Sequence, residues 1–469
     1  MAGTLQASPG VAITPSSVKA ALPTNYITNF DFLNQYLPDT YEQEFERYGN
    51  RSIASFLRMV GAELPSNSDL IKWAEQGRLH TKYTAVTAVG ASGGDDVVTF
   101  DIGSATCVFR VGQTVFLSNN ASSSSSYKGI VTECPVSGDA TRFKVAFYNA
   151  GGIATADTGA TFTAFVYGSE FKKGSNGMSG SLEAQDSIFE VSPIIIKDKY
   201  VVSGSDMAQI GWVEVTTENG ATGYLWYMKS EHENRLRFED YMEMAMVEGV
   251  VAESGSGAIA LTTGDLGNKG TQGLFASIES RGNVWAGGNP SALSDFDTIV
   301  QRLDKQGAIA ENALFLNRQF SFDIDDMLAA QNSYGVGGTS YGLFDNSEQM
   351  ALNLGFTGFR RGYEFYKTDW KYLNDATLRG GLVGGAVNGV LVPAGTTTVY
   401  DQVLGKNAKR PFLHVRYRAS ETENRRYKTW MTGSAGGAAT SDLDAMEVNL
   451  LNERALCTLG ANNFFIFKG

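Results

Sequence analysis

No Gly or Pro interrupts the chain between Tyr224 and Glu248, and the sequence YLWYMKSEHENRLRFEDYMEMAMVEG (224–249) predicts one continuous helix. At the rise of an α-helix this is a rod of roughly 35–40 Å, longer than an ordinary domain core requires. Its charges fall four residues apart, Lys229, Glu233 and Arg237 on one line and Glu231, Arg235 and Glu239 on another. Each such pair adds only a few tenths of a kcal/mol. Leu225, Met228, His232 and Leu236 form one largely apolar line, and Phe238, Tyr241 and Met242 a displaced one. A helix patterned this way crosses a surface and keeps polar flanks for neighbours.

Upstream the texture is different. Over 82–168 charged residues thin out while Gly, Ser, Thr and Val rise. Short strand-like pieces recur at Val97 to Ile102, Thr114 to Leu117, Gly129 to Cys134, Phe143 to Tyr148 and Thr161 to Val166. Phe143, Val145 and Phe147 alternate with Lys144, Ala146 and Tyr148, a period of two. Five or so such strands predict a small β-sandwich or barrel, inserted because helical and mixed patterns lie on both sides. Before it, residues 1–24 read as an extended arm. Ile53, Phe56, Leu57 and Val60 mark one face of a helix within 27–62.

After the long helix, 271–469 mixes helices and strands. A helix is expected from an N-cap at Ser294 to a stop at Gly307, with Phe296, Ile299, Val300 and Leu303 buried. Ala313 to Leu316 reads as a strand, and a helix follows near Phe322 to Gln331. Phe412 to Arg418 and Asn424 to Met431 read as a hairpin around Ser420 and Glu421. Region 404–430 holds eight basic residues, Lys406, Lys409, Arg410, Arg416, Arg418, Arg425, Arg426 and Lys428, against two acidic ones, Glu421 and Glu423. That local excess stands out in a chain of net charge -12. Acidic neighbours, including other copies of the chain, are its simplest partners.

The overall acidity excludes a dedicated duplex-binding protein, whose affinity comes mostly from neutralising phosphates. Cys107, Cys134 and Cys457 are widely spaced, without CxxC, and read as buried or free thiols of a reducing compartment. The start has no signal-peptide pattern, and GGLVGGAVNGVLVPAG (380–395) is too short and Gly-rich to span a membrane. The three histidines, His80, His232 and His414, fall in no metal motif. GxSxG occurs at GASGG (90–94) and GTSYG (338–342), neither on a strand-to-helix turn. GVGGTSYG (335–342) lacks the ending of a phosphate loop. Asp323, Asp325 and Asp326 sit at an expected helix start, where acids are favoured without any metal. So broad a lack of catalytic signatures, beside a charged rod and opposed charge patches, points to a component of an assembly.

The order of these pieces resembles the major capsid protein of tailed double-stranded DNA bacteriophages, with the HK97-type fold. The segments that carry the resemblance are TYEQEFERYGNRSIASFLRMVGAE (40–63), YGSEFKKG (167–174), GTQGLFASIESRGN (270–283) and LNERALCTLGANNFFIFKG (451–469). The inserted β-module resembles the crAss-like or related podovirus group. The resemblance implies an α+β chain with an N-terminal arm and helices over 1–60 and an extended loop over 61–220 carrying the insert at 82–168. It further implies a peripheral domain with the spine helix over 221–270, an axial domain over 271–405 closed by 433–469, and a peripheral hairpin at 406–432. The implied role is the shell of a virion, assembled from hexamers and pentamers in the host cytoplasm, with no enzyme activity, cofactor or metal. Portal, scaffold and decoration proteins are the implied partners, and packaged DNA is a neighbour only. The short non-helical start implies a separate scaffold and no proteolytic maturation. Subunit contacts are expected at the eight basic residues of 406–428 and at Glu231, Arg235 and Glu239. An encapsulin-like compartment shell, an enzyme of unrecognised type and a carbohydrate-binding fibre are the rival readings.

Overall fold

A computed structural model describes residues 56–57, 62–103, 105–121, 125–182, 186–208, 215–216, 222–223, 226–260, 268–332, 358–394, 396–401, 406–435 and 439–469. The arm at 1–24, positions 53 and 60 of the expected first helix, and the loop at 335–342 lie outside them. Contacts divide the chain into two compact units, one of residues 73–189 and one of the remainder.

Strands β1 (Ala62–Ser66) and β2 (Ile71–Gln76) lead into a β-module. Its strands are β3 (Lys82–Val89), β4 (Val97–Asp101), β5 (Gln113–Asn119), β6 (Ser126–Glu133), β7 (Arg142–Phe147) and β8 (Thr161–Ser169). They close into a barrel in the order β3-β4-β7-β6-β5-β8. All five anticipated strands are present, and β3 is the addition. Closure follows from alternation: Val98, Phe100, Val115, Leu117, Phe143, Val145, Phe162 and Ala164 all point inward and are buried. Phe100 stacks on Phe143 at 5.6 Å and meets Phe162 edge-on at 5.8 Å. GASGG forms the turn of the β3–β4 hairpin, so Ser92 sits on no nucleophile elbow.

One buried acid closes a polar network in the barrel. Asp157 accepts from Asn119 Nδ2 at 2.8 Å and from the Tyr127 hydroxyl at 2.5 Å. Removing a buried acceptor strands its donors, at about 1–3 kcal/mol. Asp157→Ala is therefore expected to lower barrel stability by that amount in urea melts, and an unchanged midpoint would refute it. Three outer carboxyls are held below their ordinary values: Asp101 chiefly by the Gly103 N–H, Glu133 by the Lys144 ammonium and Asp139 by the Thr141 N–H. A depressed folded pKa adds stability above the unfolded pKa and loses it as pH falls through the folded one. The barrel's Tm should thus decline as pH drops from about 5 to about 2; a flat Tm over that range would contradict this.

Next come β9 (Asp186–Val191), which pairs with β2, and β10 (Ile194–Ser203) of the larger unit. A short pair, β11 (Val215–Thr216) and β12 (Thr222–Gly223), precedes helix α1 (Trp226–Glu248). Then come α2 (Leu274–Arg281), β13 (Asn283–Trp285), α3 (Leu293–Gln306), β14 (Glu311–Leu316) and α4 (Arg318–Asn332). The strands β15 (Gly358–Arg361), β16 (Tyr363–Asp369), β17 (Val387–Pro393), β18 (Thr396–Asp401), β19 (Lys406–Pro411), β20 (Leu413–Arg418) and β21 (Lys428–Gly433) follow. The last two are β22 (Ala445–Thr458) and β23 (Phe465–Lys468).

These strands build two principal sheets. The mixed six-stranded sheet runs β13-β23-β17-β14-β16-β15. Period two distributes its side chains to both faces. Phe315, Val390, Val392 and Ile466 pack with Leu274, Phe275 and Ile278 of α2. Leu314, Leu316, Leu391, Phe465 and Phe467 pack with Phe296, Ile299 and Leu303 of α3 and Phe320 and Ile324 of α4. The five-stranded sheet has β22 at its centre, with β10 along one edge and β20 and β21 pairing with its two halves. β1 extends it by pairing parallel to β20.

Several sequence expectations need correction. Phe412 to Arg418 and Asn424 to Met431 do not pair as a hairpin: beyond the turn bridge at Ala419 and Asn424, β20 and β21 each bond to β22. A long, mostly buried strand offers more partners than a two-stranded ribbon, which is marginal alone. The apolar line with His232 and Leu236 is not the buried one; His232 is exposed, and Phe238, Met242 and Met246 face the core, while Tyr241 is exposed. Helix α3 starts from Ala292, not Ser294, because Asp295 reaches back to the Ser291 and Ala292 N–H groups at 3.2 Å each. Its stop is as expected, with Gly307 left-handed at φ 71°. Helix α4 starts at Arg318, where the Asn317 side chain accepts from Phe320 N at 2.8 Å. Asp323, Asp325 and Asp326 therefore lie past the first turn. The segment 433–469 is also shared: β22 belongs to the five-stranded sheet and only β23 to the six-stranded one.

The end of α1 meets the start of α2 through two glycines. Gly273 N donates to Gly249 O at 2.8 Å, and a Cβ on Gly273 would lie 2.6 Å from Gly249 N. Gly273→Ala is expected to cost about 1–3 kcal/mol through forced backbone displacement. Unfolding of the isolated variant in denaturant checks this, and an unshifted midpoint would rule out the close approach.

Candidate interaction surfaces

The basic segment and the charged helix, remote in sequence, converge at Tyr427. Its ring meets Phe238 of α1 edge-on at 5.7 Å. Burial, followed by the Glu239 carboxylate, raises the Tyr427 hydroxyl above its ordinary pKa, with Arg235 opposing. On the helix, Arg235 grips Glu231 through Nε at 3.0 Å and Nη2 at 2.5 Å, and Lys229 stands 3.7 Å from Glu233.

The basic residues find much of their charge compensation inside the chain. Arg418 pairs with Asp69, and Arg426 with Glu63. Arg425 Nε lies 2.7 Å from Glu453 Oε2, though its N–H is not aimed along a hydrogen bond. Lys428 bonds to Glu423 at 2.8 Å, which holds the Glu423 carboxyl below its usual range. Arg416 donates to the Pro65 carbonyl at 3.1 Å. These contacts fasten β1 to β20 and the β20–β21 turn, and that turn to β22, a role that composition alone did not disclose. The side chains of Lys406, Lys409 and Arg410 lie outside the described residues; their backbone forms β19, paired with β18. Arg426 and Lys428 keep much of their side chains in solvent, at 57% and 42% exposure.

Beneath this surface lies an ionic group that sequence reading missed. Arg454 is buried and donates from Nε to Asn452 Oδ1 at 2.6 Å, with Glu63 3.9 Å from Nη2. Asn452, itself buried, donates to the Arg426 carbonyl. Burial lowers the Arg454 pKa, and Glu63, Glu243 and Glu239 counter it. Buried Glu243 accepts from the Phe56 N–H at 3.0 Å, tying the helical residues 56–57 to α1. The signal available in sequence was a charged pair, Glu453 and Arg454, directly before the apolar run Ala455 to Cys457.

The barrel carries a different surface. Phe116 and Phe165 pack outward with ring centroids 5.2 Å apart, and Lys128 Nζ stands 6.0 Å from Phe116 and 5.9 Å from Tyr167. Tyr148 and Tyr167 are each half exposed. Burial and a hydrogen bond to Glu170 push the Tyr148 hydroxyl up to about 12.

Asp323 and Asp325 have structural partners. Asp323 accepts from Asn289 at 2.6 Å and Gln319 at 2.9 Å, and Asp325 meets Lys367 at 2.5 Å. Among the described residues no cluster of three or more His, Cys, Asp or Glu side chains is arranged to hold a metal ion. No described helix is long and apolar enough to cross a membrane, and 387–393 of the Gly-rich stretch is strand β17.

No family model matches the chain, and no curated protein matches it in sequence. Its fold is similar to solved structures titled for phages and capsids. One, from Gordonia phage Cozz, is 10% identical, with 97% of this chain and 96% of that chain covered at a TM-score of 0.38. Another, the capsid of a native GTA particle computed with C5 symmetry, is 9% identical over 92% of this chain and 94% of that one, with a TM-score of 0.38. A third, the asymmetric unit of the bacteriophage PhiM1 mature capsid, is 10% identical over 65% and 78%, with a TM-score of 0.34. The function proposed below rests on this chain's own elements.

Proposed function

We propose that the chain is the major capsid protein of a tailed double-stranded DNA bacteriophage, closing as hexamers and pentamers into an icosahedral head. The observation that carries this reading is the element order. Paired strands and an inserted barrel precede a long charged helix, which packs on the five-stranded sheet through Phe238 and Met242 against Met446, Val448 and Leu450. A separate mixed sheet clad by helices then takes its inner strand β23 from the end of the sequence. This is the arrangement that the HK97-type resemblance implies, with α1 as the spine of a peripheral domain and the six-stranded sheet as the axial domain. The role is structural, in the virion, with other copies of the chain as main partners and with portal, scaffold and decoration proteins beside them.

The physics suits a shell. A net charge of -12 reduces adhesion to packed DNA. Partly exposed ionic groups give weak reciprocal contacts that permit correction during assembly. Negative-stain microscopy and light scattering of the chain, co-expressed with neighbouring viral genes, should reveal closed particles; a stable monomer under those conditions would overturn the proposal.

Glu231, Arg235, Glu239 and the basic residues of 406–428 are the proposed subunit contacts. Arg425→Glu would set a carboxylate against Glu453 and Glu423 in its own chain, so it tests folding as much as assembly. The more exposed Arg426 and Lys428 are better probes. Arg426→Gln with Lys428→Gln is expected to slow or distort shell closure without DNA. Normal empty shells that fail only in genome retention would assign these residues to DNA instead.

A further inference from the structure

Asn is followed directly by Gly at three places, 176–177, 219–220 and 388–389. Glycine carries no Cβ, so its backbone nitrogen can approach the preceding side-chain amide closely. The second pair lies outside the described residues. The other two sit in opposite surroundings. Asn388 and Gly389 belong to β17, where Gly389 stands between Leu316 of β14 and Phe467 of β23. Asn388 Nδ2 donates to Asn289 Oδ1 at 2.7 Å, and its Oδ1 accepts from Asn317 Nδ2 at 3.2 Å. Asn176 and Gly177 are both exposed, in the irregular stretch between β8 and β9. That stretch is tied down on either side of them. Ser175 N and Oγ donate to Lys172 O at 3.2 and 2.7 Å, and Arg110 Nη1 donates to Gly180 O at 2.9 Å. Between these ties, no hydrogen bond among the described residues engages Asn176 or Gly177. A Cβ on Gly177 would meet nothing within 4 Å.

We propose that Asn176 is a site of spontaneous deamidation, which converts the chain with age into a more acidic form. The backbone nitrogen of Gly177, after losing its proton to hydroxide, attacks Asn176 Cγ. An N–Cγ bond forms, the Cγ–Nδ2 bond breaks, and the amide nitrogen leaves as ammonia with a proton from solvent. One water then opens the five-membered imide at either carbonyl carbon, leaving aspartate or isoaspartate at 176. Overall an amide and a water become a carboxylate and ammonium, and nothing is oxidised or reduced. The ring closes only when the backbone turns the Gly nitrogen toward the Asn side chain. That motion costs little where no bond holds the chain and much in a paired core strand. The new carboxylate stands three residues from Lys173 and four from Lys172, exposed cations with no ion pair among the described residues. It therefore offsets part of a local positive charge. The reaction requires neither assembly nor the functional reading above.

The test incubates the isolated full chain in neutral and in mildly alkaline buffer and maps its tryptic peptides by mass and chromatography. Trypsin places the three pairs on separate peptides, 174–197, 200–229 and 380–406, and Asn176 is the only Asn of the first. That peptide should gain the mass difference between a carboxyl and an amide, split into aspartyl and isoaspartyl forms, and convert faster in the alkaline buffer. In the folded chain it should convert at least about tenfold faster than 380–406, whose strand must open first. Unfolding in urea should remove most of that difference. Gly177→Ala should slow the conversion several-fold, and Asn176→Gln should abolish it. A 174–197 peptide that stays intact, or equal rates for Asn176 and Asn388 in the folded chain, would overturn the proposal.

Discussion

Excising residues 82–169 and bridging the ends with a short Gly-Ser linker should remove one thermal transition and leave the other intact. Every residue of the barrel core falls within the excised span, from Tyr83 to Val166. The three remaining cores contain no residue from it. The barrel also satisfies its own strand edges, since β3 pairs with β8 to close the circle. Perturbations without shared contacts add nearly independently, so the remaining unit should unfold in urea within about 1 kcal/mol of its stability in the intact chain. Loss of all cooperative unfolding in the deleted chain would mean that the barrel is part of a common core. The proposed function supplies a second readout: if it holds and the barrel is an appendage of the shell, the deleted chain still forms particles.

What the sequence disclosed followed the strength of its periodicities. The barrel was legible because Phe143, Val145 and their neighbours alternate strictly and turns are Gly- and Ser-rich. Strand β3 was missed because Val86 is its one fully buried side chain, and one inward residue makes no visible alternation. The long helix was legible from its uninterrupted run, but its two apolar lines left open which one is buried, and only that of Phe238 and Met242 is. Asn234 and Glu243 are buried on the core side, and polar residues there dilute the apolar stripe. The basic segment illustrates a deeper limit. Its excess charge is real along the sequence, yet Glu63 and Asp69, which compensate Arg426 and Arg418, arrive from the other end of the chain. Local composition cannot register a partner hundreds of residues away.

Arg454→Ala is expected to destabilise the larger unit by about 3–5 kcal/mol, the cost of removing one partner from a buried ionic group. The loss would come from several sources at once. Asn452 Oδ1 loses its 2.6 Å donor, and Glu63 keeps Arg426 but loses Arg454. Glu243 stays buried while the field of a nearby cation disappears. A cavity also opens in β22 between Ile194 of β10 and Tyr417 of β20. Arg454→Met separates these effects, because it restores most of the volume without the charge. If packing dominates, the methionine variant should recover nearly all of the stability. If charge balance dominates, as the burial of Glu243 against the Phe56 N–H favours, methionine should recover only the smaller part. Glu243→Gln should then be less harmful in the Arg454→Met background than alone, since the amide still accepts from Phe56 and no longer needs a cation. Urea unfolding of the unassembled chain, run as a double-mutant cycle, measures that coupling. Strictly additive effects of the two substitutions would show that Arg454 and Glu243 do not act on one another.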